Sequence, residues 1–398
     1  MHLVSFKTLR TIALSGPGHM WSAMTEEASL TRFILHVGDP KCGSSSIQTS
    51  LFHGREGLRA QRILYESQNP PSGNYCLTTL IGGSTRGDDG VQMGHARNTV
   101  AKLASARGDA DHIILSAENF IRQPPEDILS IVRMIDPDVQ DVDVVAYVRH
   151  PAAMYLSQAQ QAIKASTRFI PPGAYRRPIH EALERWENSP DVASVTVRLF
   201  DRNSLTGGDV VADFQSVLRE LTDRHVTLPA ARANRSLSAE QMVTLQYYRG
   251  HYCAEYQGKA TPGSMRLIEL FEAMNAEALV GTRARLNGRA RALVEQGNIN
   301  VIHWLRDHHG LPGMGERPRD AKPVPPGGDW TSIASILERV DQPLVDLLKR
   351  LLPCPDSGQP RQDEAALFSL IDSMPDKVAA IDCAVRAYWR DEVTSWAG

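Results

Sequence analysis

Short apolar runs alternate with longer segments of helical period over the first half of the chain. Residues 32–38 (RFILHVG) form an apolar run closed by Gly38, the pattern of a buried strand. From Ser44 to about Gln61, Ile47, Leu51 and Leu58 recur among small and polar residues, which predicts a helix. A second strand is expected at 62–67 (RILYES). A Gly-, Asn-, Pro- and Asp-rich stretch then runs to about residue 90 and reads as a long surface loop. The alternation resumes with a helix at 91–107, a strand at 112–117 (HIILSA), a helix from Pro125 to Ile135 and a strand at 142–148 (VDVVAYV). Pro151 suits a first helical turn and opens a helix to about Ala165. A helix at 177–188, a strand at 194–200 (SVTVRLF) and a helix at 209–221 complete the series.

Strands alternating with helices predict an α/β fold with a mostly parallel central sheet flanked by helices in three layers. From Ser236 the character changes. Ser238 followed by Gln241 is a capping-box signature, and most of the chain beyond it has helical period, broken by a Pro/Gly-rich stretch at 310–328. The expected organisation is an N-terminal extension over 1–30, poorly ordered and dispensable over 1–23, then an α/β core over 31–235. A mainly helical region over 236–398 packs on that core, and with loop 68–90 it is expected to shape an acceptor pocket.

Composition changes this picture in three places. The 398 residues carry a formal net charge of −3, so no global positive field favours nucleic acid as a partner. Cys42, Cys76, Cys253, Cys354 and Cys383 are scattered and odd in number, with no CxxC pair. Neither a disulfide framework nor a structural zinc site is indicated, and a reducing, cytoplasmic location is expected; the sequon Asn234-Arg235-Ser236 then carries no glycan. No stretch approaches the ~20 apolar residues of a membrane span.

The strongest chemical signal is Gly38-Asp39-Pro40-Lys41-Cys42-Gly43-Ser44-Ser45-Ser46, between the first strand and the first helix. A helix N-terminus presents unpaired N–H groups and a positive dipole end to a phosphate. Gly43 lets the backbone approach an anion closely, three hydroxyls follow it, and Lys41 adds a point charge. The order differs from GxxxxGK[ST], because Ser44 stands in the Lys position and Lys41 precedes Gly43. A second signal is Arg149-His150-Pro151 at the end of the strand 142–148, with Ser157 eight residues after Arg149. A fixed guanidinium fork and a hydroxyl suit a dianionic phosphate, and both motifs fall at the carboxyl ends of strands, where open α/β sheets bind ligands.

The loop order PKxG[ST][ST] together with the Arg149/Ser157 spacing resembles the sulfotransferase superfamily that uses 3′-phosphoadenosine-5′-phosphosulfate. The run Lys41 to Gln48 is most similar to its bacterial and carbohydrate-modifying members. The segments Arg198-Leu199-Phe200-Asp201-Arg202 and Asn234-Arg235-Ser236-Leu237 are similar too, though less specific, so the resemblance spans roughly residues 32–240. It departs at Ser46, where cytosolic members carry Trp, and at Cys42, where Thr or Ser is usual. The resemblance implies a P-loop-type core that transfers a sulfuryl group to an acceptor hydroxyl, on a carbohydrate or glycoconjugate, without a metal. It implies that Ser44, Ser45 and Ser46 with Gly43 hold the 5′-phosphate, that Lys41 balances charge on the leaving oxygen, and that Arg149 and Ser157 grip the 3′-phosphate.

The chemistry also needs a base for the acceptor proton. Glu118, directly after the strand HIILSA, is the first choice and His95 the second. His36 inside the first strand reads as a core histidine, while His308-His309 lack spacing partners for a metal and read as solvated. Arg168, Arg176 and Arg177 read as a solvated basic stretch that would also suit an anionic or sugar acceptor. Two other functions share the fold class. A nucleotide kinase would need magnesium, and a strand ending in an acidic magnesium ligand is not evident; a non-catalytic nucleotide-binding module would not need Lys41, Gly43, Ser44, Ser45, Arg149 and Ser157 together.

Overall fold

A computed structural model describes residues 31–83, 88–231, 236–275, 279–315 and 322–350. The N-terminal extension, Cys354, Cys383, most of the Asn234–Ser236 sequon and the end of the helical region lie outside the described residues.

The elements follow the hydrophobic pattern closely. In chain order they are β1 (Arg32–His36), α1 (Ser44–Arg59), β2 (Ile63–Leu64), α2 (Asp89–Ala106), β3 (His112–Ser116), α3 (Pro125–Ile135) and β4 (Val142–Val148). Then come α4 (Pro151–Ile163), α5 (Ile179–Glu187), β5 (Ser194–Leu199) and α6 (Val210–Thr222). The C-terminal region adds α7 (Ala239–Tyr252), α8 (Pro262–Met274), α9 (Gly288–Gly297), α10 (Ile299–His309) and α11 (Gln342–Arg350). Among the described residues no helix is long and apolar enough to cross a membrane.

The five strands form one sheet in the order β2-β3-β1-β4-β5, and every pairing is parallel. The parallel pairing expected from the alternation of strand and helix is met throughout the described strands, and each connection between them crosses over through a helix. Both faces are buried, and side chains alternate between them. Ile34, Ile114, Val145 and Tyr147 face a core shared with α1, α4, α6 and α7. Phe33, Leu35, Ile113, Leu115, Val144 and Ala146 face a second core shared with α2, α3, α5 and α10. The helices of the C-terminal region therefore cover both faces, α7 to α9 and α11 against the first core and α10 against the second.

Two expectations need correction. The strand at 62–67 pairs only over Ile63–Leu64, since the chain then turns along the end of β3. The stretch after it is no solvated loop. Short 3-10 turns at Pro70–Ser72 and Tyr75–Ile81 bury Cys76, Leu77, Thr78 and Thr79. Asn74 anchors the stretch: its amide donates to the Glu66 carbonyl (2.7 Å) and its side-chain oxygen accepts from the Ser116 amide (2.8 Å). Polar residues that look like loop composition here satisfy the free edge beyond β3. Residues 84–87 of this stretch lie outside the described residues.

The capping box is formed as expected. Ser238 Oγ accepts from the Gln241 amide and the Gln241 side chain accepts from the Ser238 amide.

Candidate functional site

Strand order locates the ligand edge. From β1 the chain crosses to one side of the sheet, and from β4 it crosses to the other, so the carboxyl ends of these neighbours bound a crevice. The loop 37–43 leaves β1 there and stays fastened to β4: the Val37 amide donates to the Val145 carbonyl (3.0 Å) and the Asp39 amide to the Tyr147 carbonyl (3.3 Å).

The loop turns sharply at two left-handed residues, Lys41 (φ 67) and Gly43 (φ 83). Gly43 is the N-cap of α1 and provides no side chain to cap it. A Cβ there would lie 2.8 Å from Phe200 Cε2 and from Val210 Cγ1, so the position excludes side chains on space as well as on φ. The first amides bonded back into the helix are those of Ser46 and Ile47, both to the Gly43 carbonyl, so the earlier N–H groups point out of the end. Ser44 is 3% exposed, and its Oγ has no hydrogen-bond partner among the described residues. Ser45 is exposed and Ser46 half-buried. An uncapped helix end, a residue that must be glycine and a buried orphaned hydroxyl fit a bound phosphate group.

Arg149 joins this loop from the end of β4. Its Nη1 donates to the Lys41 carbonyl (3.3 Å), and its guanidinium carbon lies 5.4 Å from the centre of the Phe200 ring. Burial and the charge of Arg283 pull its ionisation down, while Cys42 and Asp201 favour it. The Lys41 ammonium donates to Gln161 Oε1 on α4 (2.9 Å). Ser157, half-buried, is one helical turn before Gln161 and shares its face of α4. The face of α4 that bears Ser157 thus carries the residue that touches the loop.

Asp39, 2% exposed, is ion-paired with Arg177, which precedes α5. Cys42 is fully buried, and burial pushes its thiol up to about 12, with Arg149 acting against the shift and Glu118 with it. Glu118 is therefore within electrostatic reach of the loop. The backbone explains why: the Ala117 amide donates to the His36 carbonyl (3.0 Å), so Glu118 leaves β3 beside the end of β1. His95 sits in the second turn of α2, which packs on the Tyr75–Ile81 turn and on α3. Among the described residues no hydrogen bond or ion pair joins His95 to the loop.

His36 lies in the core under the loop. Its Nδ1 is 2.7 Å from Ser116 Oγ, its ring packs on Tyr147 and Phe214, and burial lowers it to about 3. His150 caps α4: Nδ1 accepts from the Ala152 amide (3.2 Å), while Nε2 donates to the Met314 carbonyl (3.0 Å). That pattern selects one neutral tautomer, in keeping with the burial that lowers its pKa against the pull of Glu295.

Of the residues expected to form the donor site, Lys41, Gly43 and Ser44 share one loop, Arg149 bonds that loop, and Ser157 lies one turn before the Gln161 that Lys41 contacts. Gln161 and Arg283 were not named from the sequence, Phe200 fell only within the less specific segment 198–202, and Arg177, expected to be solvated, is instead paired with the buried Asp39. The one signal that could have found Gln161 is its helical spacing from Ser157. A groove of about 1040 Å³ opens between α3 and α5 beside this edge, with Arg122, Arg177, Arg185, Glu126 and Glu181 along it. When the chain is compared with known proteins, no family model and no curated protein matches it.

Proposed function

We propose that the chain transfers a sulfuryl group from 3′-phosphoadenosine-5′-phosphosulfate to an acceptor hydroxyl. One observation carries this reading: the Arg149 guanidinium bonds the carbonyl of Lys41, at the crevice where the uncapped end of α1 and the buried Ser44 hydroxyl meet. A site with two separate cationic centres, one on the loop and one on β4, suits a nucleotide that carries phosphates at both ends of its ribose.

In this reading the N–H groups of the α1 terminus with Ser44, Ser45 and Ser46 hold the 5′-phosphate. Arg149 and Ser157 hold the 3′-phosphate. The acceptor oxygen forms a bond to sulfur as the bond from sulfur to the 5′-phosphate oxygen breaks, and the acceptor proton passes to the Glu118 carboxylate. Lys41 balances the negative charge gathering on the departing phosphate, oriented by Gln161. The residues mostly position and stabilise, as in phosphoryl transfer. The groove between α3 and α5 supplies room for a carbohydrate or glycoconjugate, whose hydroxyls pair with its mixed arginines and glutamates.

Calorimetric titration with adenosine 3′,5′-bisphosphate, against ATP and without added metal, tests the donor site. Tight metal-free binding of the bisphosphate is expected. Arg149→Ala is expected to weaken that binding by about 1.5–3 kcal/mol, the value of a charge-assisted hydrogen bond, and to leave adenosine 5′-phosphate binding nearly unchanged. Preference for magnesium-ATP, or equal loss for both ligands, would reject the reading.

A further inference from the structure

A second cluster lies at the opposite edge of the sheet. Glu187 ends α5, His308 and His309 end α10, and the neighbouring β5 only begins at Ser194. Because all strands are parallel, this is the amino-terminal edge, away from the crevice of Lys41 and Arg149. His308 Nε2 stands 3.3 Å from Glu187 Oε2, and His309 Nε2 stands 3.4 Å from Glu187 Oε1. All three ligand atoms lie within 4.8 Å of one another.

These separations are long for hydrogen bonds, and His309 Nε2, on a side chain only 9% exposed, has no hydrogen-bond partner among the described residues. They match something else. Two ligands held about 2.0–2.1 Å from a tetrahedral zinc stand about 3.3–3.4 Å apart. The rings are also held in place: the Trp304 ring stacks on His308 at 5.0 Å and meets His309 edge-on at 4.8 Å.

We propose that Glu187, His308 and His309 form a binding site for a divalent transition metal, of the zinc class, with two imidazoles and one carboxylate as protein ligands. Two imidazoles favour such a metal over magnesium or calcium, which take oxygen ligands. Three protein ligands leave a coordination position for water, and a hollow of about 550 Å³ lined by Glu187, His308, Asn188 and Ser194 adjoins the cluster. The ion would tie α5 to α10 and so fasten the C-terminal region to the core.

Metal uptake by the chelator-stripped full chain tests this directly. Zinc is titrated in competition with a chromophoric chelator, and cobalt is added in parallel for its visible spectrum. One zinc per chain, a tetrahedral cobalt spectrum and a zinc-dependent rise in Tm are expected. Glu187→Gln, which preserves volume, and His309→Ala should each weaken uptake more than about tenfold. Circular dichroism of both variants without metal separates loss of a ligand from loss of the fold, and Glu187→Gln stands as the test if His309→Ala misfolds. No stoichiometric uptake by the native chain, or uptake unchanged in folded Glu187→Gln, overturns the proposal. Binding of adenosine 3′,5′-bisphosphate should be the same with and without zinc, since the two sites occupy opposite edges.

Discussion

Lys41 adopts a left-handed backbone without being glycine, at a cost of about 1–2 kcal/mol that the loop's bonds to β4 and Arg149 offset. The strain turns its carbonyl toward Arg149 while its ammonium reaches Gln161. Lys41 is exposed, so Lys41→Ala is expected to leave Tm within about a degree while the proposed sulfuryl transfer falls by roughly 100-fold or more, the loss typical of removing a preorganised charge. Near-normal turnover would remove Lys41 from the reaction. Glu118→Gln is expected to lower kcat by roughly 100-fold with the affinity for the bisphosphate unchanged. An unchanged rate would move the base away from Glu118. These residues were readable because the chemistry needs particular residue types at fixed places along one loop. Gln161 and Arg177 were not readable, since each meets its partner only through the sheet: 120 residues separate Lys41 from Gln161.

At the scale of elements, β4, β5 and α6 are joined by one buried carboxylate. Asp213 accepts from Arg198 Nε (3.0 Å) and Nη2 (2.5 Å), from the Thr206 amide (2.9 Å) and from the Tyr147 hydroxyl (2.8 Å). Burial alone would raise the Asp213 carboxyl, but these hydrogen bonds outweigh it and hold the group below the ordinary carboxylate value. Its contribution is therefore complete above the unfolded-chain pKa of about 3.9 and is lost as pH falls through the lower folded value. Asp213→Ala leaves the Tyr147 hydroxyl and the Arg198 fork without their partner, and an unfolding free energy lower by about 3 kcal/mol is expected in urea titration. A loss below about 1 kcal/mol would mean that water replaces the carboxylate. The elements themselves were legible, because continuous apolar runs mark β3 and β4, a 3.6 period marks α3 and a capping box opens α7 at Ser238. The stretch after β2 was not, since its polar residues serve buried backbone groups rather than solvent.

Across the described residues, burial lowers four histidines: His36 to about 3, His309 to about 4, and His112 and His150 below their ordinary value, His150 despite Glu295. The unfolded chain binds protons at these positions below about 6.5, and the folded chain does not. Stability is thus complete above about 6.5 and declines as pH falls toward 3, by about 1.4 kcal/mol per pH unit for the fully buried His36 alone. Urea midpoints at pH 7, 6 and 5 should fall steadily. A flat profile over that range would show that these histidines relax to their ordinary values.

The residues of the loop from Gly38 to Ser46, the Arg149–Ser157 pair and the alternation of strand and helix were determined by the sequence alone, because each rests on local spacing that a single segment carries. Strand order, the closing of Arg149 on the Lys41 carbonyl and the meeting of Glu187 with His308-His309 were decided only by tertiary structure. His308-His309 read as solvated along the chain, and the pairing with a carboxylate 121 positions earlier becomes visible only once α5 and α10 lie against the same face of the sheet. The reason is physical: sequence periodicity records which face of an element is buried, but which elements share a face follows from how the crossovers wind the sheet.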